Sequence, residues 1–97
     1  MSQAITLSRH ILKPTGRKTP HPQPALGQAI RELRQKRGLS LEAVAAKAGL
    51  ALNTLSLIER GEANPTWQTV KGIAAALDVS IAEIAKRSLK FEDASRK

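Results

Sequence analysis

Ninety-seven residues allow one small domain with a single modest core. The chain is 41% apolar with only two aromatic residues, Trp67 and Phe91, so the core must come from Leu, Ile, Val and Ala, a palette for short packed helices rather than a sheet. The absence of cysteine excludes disulfides, thiolate metal sites and cysteine nucleophiles, and a formal net charge of +8 favours a polyanionic partner, nucleic acid ahead of an anionic membrane.

That charge is unevenly spread. Residues 1–40 carry eight Lys/Arg against one acid, Glu32, whereas residues 41–97 carry eight bases against seven acids. No apolar run approaches the roughly 18 residues of a membrane span. Ser8-Arg9-His10 interrupts Ala4–Leu7 before any signal-like apolar stretch can form. The expected setting is soluble and cytoplasmic, without a membrane partner.

Residues 1–23 read as a basic, Pro-rich arm. Ala4 to Leu12 shows partial alternation, suited to a short strand or an extended segment, and KPTGRKTPHPQP follows with four prolines and no acid. Prolines at that density forbid helix and favour extended chain.

From Pro24 the punctuation becomes regular. Pro24 suits the first turn of a helix, and Leu26, Ile30 and Leu33 share one face up to Lys36-Arg37-Gly38. Ser40 is a natural N-cap for a second helix that carries Val44, Ala45 and Ala48 inward and ends at Gly49. Leu50 plugs the turn, and a third helix spans about Leu52 to Arg60 with Leu55 and Ile58 inward. Glu62-Ala63-Asn64-Pro65 is a polar loop before Thr66, which caps a fourth helix through Leu77 with Val70, Ile73, Ala74 and Leu77 buried. Asp78-Val79 makes a turn, and Ser80-Ile81-Ala82-Glu83 fits a capping box for a fifth helix from Ile81, with Ile81, Ile84 and Leu89 as its apolar contacts. Residues 92–97 read as a frayed tail.

The segment Ser40–Gly61 has the layout of a helix-turn-helix: two short helices about a Gly-centred turn, with small Ala45 where the helices approach. Residues 26–84 resemble the Cro/phage-repressor (XRE) helix-turn-helix family. The resemblance rests on Leu33-Arg34…Gly38-Leu39-Ser40, Ala45…Gly49, Ile58-Glu59-Arg60-Gly61, Asn64-Pro65 and Ile73-Ala74…Leu77. It implies an all-α fold: a compact five-helix lambda-repressor-like DNA-binding domain over 24–91, preceded by the 1–23 arm and followed by the 92–97 tail. It further implies a dimeric transcriptional regulator, a repressor by default, on a palindromic or repeated double-stranded operator. No cofactor, metal site or enzymatic activity is expected. The rival reading is an antitoxin or partner-bound interaction module, with DNA autoregulation secondary.

Site residues follow from the same resemblance. Arg34 and Glu59 match a family pair that forms a partly buried salt bridge, which suits an Arg facing a lone carboxylate. Base-contact candidates are Leu52, Asn53, Ser56 and Leu57, with Asn53 suited to adenine and Ser56 to several bases. Phosphate-contact candidates are Ser40, Thr54, Arg60, Asn64 and Thr66, with Arg17 and Lys18 in the arm. Departures from the family pattern are Leu41 in place of a bracing Gln, Ala51 in place of a capping Ser or Thr, and Leu52 and Leu57 where polar residues are usual. Thymine-methyl contact is the functional explanation for the two leucines; a protein-binding face or loose sequence reading is the alternative. The arm admits three roles: contact with DNA phosphates or the minor groove, strand pairing with a partner, or a solvated tail. Trp67 is expected at the core edge or in a dimer contact, and Phe91 with Leu89 in a dimerisation patch or a docked tail.

Overall fold

Five helices account for the regular structure in the computed structural model, which describes residues 23–96. They are α1 (Pro24–Lys36), α2 (Leu41–Ala48), α3 (Leu52–Glu59), α4 (Trp67–Leu77) and α5 (Ile81–Arg96). No strand occurs among the described residues. The all-α reading holds, helix for helix.

Local chemistry explains the boundaries. Pro24 occupies the first turn of α1, where its missing N–H costs nothing. The Oγ of Ser40 accepts the Ala43 amide at 3.0 Å, that of Thr66 accepts Thr69 at 3.1 Å, and that of Ser80 accepts Glu83 at 3.0 Å. Each cap satisfies an amide that has no partner within its helix.

The ends of α1 to α4 share one closure. A left-handed residue turns the chain, and the next amide reaches back to a carbonyl five residues earlier: Leu39 to Arg34, Leu50 to Ala45, Glu62 to Leu57 and Val79 to Ala74. Three of the four left-handed residues are glycines. The fourth is Asp78, at φ 60°, which holds this conformation without glycine's freedom.

Ile30, Leu33, Val44, Leu55, Ile58, Ile73, Leu77 and Ile84 form the core. Helix α1 packs chiefly on α5 and α2 on α4, while α3 lies across α1 and α2. Two features differ from the sequence reading. The last helix continues to Arg96, because nothing after Ile81 breaks it: no Gly or Pro follows, and Lys, Glu and Ala propagate the turns. Leu89 is exposed rather than a core contact, because Ile84, at 1% exposure, already fills the inner side of α5.

Candidate nucleic-acid interface

The turn between α2 and α3 positions the motif. Gly49, at φ 72°, allows the chain to bend by 112° between the helix axes, within the range that helix-turn-helix units use. Leu50 packs on the core beneath the bend, and Ala45 is buried where α2 meets its neighbours.

The C-terminal end of α3 is fixed to α1 by backbone proximity and by charge. A Cβ on Gly27 would collide with the Ile58 and Glu59 carbonyl oxygens, the second at 2.6 Å, so only glycine lets the two backbones touch there. One turn on, a Cβ at Gly61 would lie 2.6 Å from the Pro24 Cα. Between these contacts sits Glu59, 4% exposed and the one buried charged residue among those described. The Nε of Arg34 donates to one carboxylate oxygen at 2.7 Å and its Nη2 to the other at 2.9 Å, while its Nη1 donates to the Leu39 carbonyl at 3.0 Å. Arg31 adds a second cation, 3.6 Å from the carboxylate.

Two guanidinium groups offset what would otherwise be an unfavourable carboxylate at the negative end of a helix. In return, the Glu59 hydrogen bonds push the pKa of Arg34 above its ordinary value, against burial, which acts the other way. With its pKa raised, Arg34 stays charged, and the pair orients α3.

The opposite end of α3 is bare. Ala51 stands at the N-cap without a side-chain hydrogen bond, and Ala51, Leu52, Asn53 and Thr54 are all exposed, Leu52 to 43%. Ser56 and Leu57 are partly buried, so Leu57 is less outward than its sequence position suggests. The turn after α3 folds back at this point, bringing the Glu62 amide to the Leu57 carbonyl at 2.9 Å.

The remaining candidates lie in three places. Ser40 at the start of α2 and Thr66 at the start of α4 are exposed, but the oxygen of each already caps its helix. Arg60 and Asn64 are exposed on the α3–α4 loop, where Arg60 lies 3.8 Å from Glu62. Arg17 and Lys18 fall outside the described residues. Leu41 is partly buried against the core, an apolar packing role in place of a hydrogen-bonding one.

Sequence reasoning missed Gly27 and Arg31. A glycine inside a helix carries no periodic signal, and Arg31 is one of several bases on α1; the clue was the lone carboxylate of Glu59 one helix away. Among the described residues no group of acids and histidines is placed to hold a metal, and no single helix is long and apolar enough to cross a membrane.

A second short helix, buried at one end, bare at the other and set across the first by a left-handed glycine, defines a helix-turn-helix domain. The chain belongs to the Helix-turn-helix family (HTH_3) of XRE type, whose pattern it matches over residues 30–84. It is 44% identical over 57 residues to the HTH-type transcriptional regulator SinR of Bacillus subtilis, a match that covers 58% of this chain and 51% of SinR. The immunity repressor of Bacillus phage phi105 is 36% identical over 59 residues, covering 61% of this chain and 41% of the repressor. The chain thus spans about half the length of SinR and less of the phage protein. Among solved structures, the restriction-modification controller protein C.AhdI from Aeromonas hydrophila superposes with a TM-score of 0.63 at 35% identity, over 64% of this chain and 94% of that one. The clp gene regulator ClgR from Corynebacterium glutamicum gives 0.69 at 27% identity, over 73% and 92%. These relatives are regulators, not enzymes.

Proposed function

We propose that this protein binds double-stranded DNA sequence-specifically as a transcriptional regulator, acting as a homodimeric repressor on a palindromic or repeated operator. The observation that carries the reading is the asymmetry of α3: its C-terminal end is clamped to α1, and its N-terminal half projects bare side chains. A recognition helix needs both, since a groove-reading helix must be held rigidly and must still present its edge. The phage immunity repressor among its relatives supports repression as the mode.

In this reading Asn53 takes an adenine through paired hydrogen bonds, Ser56 reads a neighbouring base, and Leu52 and Leu57 meet thymine methyls. Arg60, Asn64, Thr54 and the starts of α2 and α4 at Ser40 and Thr66 anchor phosphates. Footprinting of the protein on DNA flanking its own gene tests the proposal. Two protected half-sites about one helical turn (~34 Å) or a multiple apart are expected. Asn53→Ala should relax discrimination at one adenine by about 1–3 kcal/mol. Strongly salt-sensitive binding with no preferred site would overturn it.

A further inference from the structure

Helix α1 turns one row of residues toward the end of α3. Gly27, Arg31 and Arg34 recur at i, i+4 and i+7, the glycine against the last carbonyl oxygens of α3 and the two arginines against the Glu59 carboxylate. The two arginines are not equivalent. Arg34, with 14% of its side chain exposed, donates to both carboxylate oxygens, at 2.7 and 2.9 Å. Arg31, with 49% exposed, brings its Nε only to 3.6 Å from Oε1, beyond hydrogen-bond length.

Charge separates them further. Arg34 alone neutralises Glu59 and occupies both of its oxygens, so Arg31 leaves the cluster with one surplus positive charge, half in solvent. An exposed pair at that distance contributes little to folding. Its place in the fold is informative. Helix α3 has eight residues, a length of about 12 Å, and the DNA major groove is about 12 Å wide. A helix that turns its bare N-terminal half to the base edges therefore brings its other end to the rim of the groove, where a phosphate strand runs. That end carries the negative pole of the helix and the Glu59 carboxylate, both of which repel phosphate. A spare cation there reverses the sign.

We infer that Arg31 is a phosphate contact: on DNA it leaves Oε1 of Glu59 for a phosphate at the rim of the major groove, while Arg34 keeps the carboxylate neutralised and α3 in place. The exchange costs the fold little, because Arg31 gives up no hydrogen bond to Glu59. This inference rests on the DNA reading above and adds to it a contact from α1, which carries none of the anchors named there.

Salt titration tests it on two duplexes, the DNA flanking the protein's own gene and a scrambled duplex of equal length. Arg31→Gln should lower the slope of log K against log salt by about 0.9 on both, because a phosphate contact carries no sequence information. Between about 50 and 200 mM salt the variant should therefore lose about 3.5-fold less affinity than the unmodified chain. Arg31→Lys keeps the charge and should restore the slope. The urea midpoint of Arg31→Gln should stay close to that of the unmodified chain. An unchanged slope would overturn the inference and leave the DNA reading standing, whereas an unmodified chain that binds neither duplex would overturn both. Weakening confined to one duplex would also sink it, by making Arg31 a reader of bases. So would a urea midpoint lowered as far as that of Arg34→Met, which would make Arg31 part of the structural clamp.

Discussion

The two ends of α3 are built to opposite specifications. At the C-terminal end, glycine lets backbone meet backbone, and Glu59 is enclosed by Arg34 and Arg31. At the N-terminal end, eight residues away, Ala51 offers no cap and Leu52 and Asn53 stand in solvent. One helix is thus anchored where it enters the fold and left unfinished where a partner would meet it. The lesson is a division of labour: the buried end fixes the direction of the helix, and the bare end is free to vary in side-chain chemistry.

Removing the clamp is the most damaging way to erase this contrast. Arg34→Met strands a buried carboxylate and should cost about 3–5 kcal/mol, read as a lower urea midpoint at unchanged m-value. A loss below about 1 kcal/mol would mean that Arg31 alone suffices. Gly27→Ala is next. The gain in helix propensity, about 1 kcal/mol, is expected to be exceeded by the collision with the α3 carbonyls, for a net loss of about 1–3 kcal/mol. A stabilised variant would show that α1 and α3 separate at no cost.

The bare end predicts smaller effects, one of them of opposite sign. Ala51→Ser supplies the missing N-cap and should add about 1 kcal/mol, raising the Tm by roughly 4–8 °C in a domain of this size. Its failure to stabilise would show that the first turn of α3 is already satisfied. Leu52→Ala should change stability by less than about 0.5 kcal/mol, because 43% of the residue is already exposed. On a mapped operator the same variant should lose preference for sites that carry thymine opposite it, and equal binding to thymine-containing and thymine-lacking sites would remove the methyl contact from the mechanism.

Much of the fold was legible because helix ends are written locally. Ser40, Gly49, Thr66 and Ser80 announce their boundaries through hydrogen bonds that span three or four residues, and the structure has a helix end at each. The inward faces of α1 to α4 followed from their spacing for the same reason. Features that depend on distant neighbours were not legible. Gly27 matters only because Ile58 and Glu59 lie against it, and the partial burial of Leu57 is likewise set by the surrounding fold. Trp67, expected at the core edge or in a dimer contact, is largely exposed, and Val70, Ile73 and Leu77 fill the inner side of α4. In the candidate site, the residue types at the bare end could be chosen from sequence; their partners lie outside the chain.

The reach of Glu59 to α1 also limits how the motif can be moved. Ser40–Gly61 reads as a self-contained unit, yet both cations of its buried carboxylate lie upstream of that unit, Arg34 standing 25 residues before Glu59. A peptide cut at those limits would keep the acid and lose its counterions, together with the glycine that receives its last turn. Transplanting this reader onto another scaffold therefore requires carrying α1 as well, and the smallest portable piece begins at Pro24.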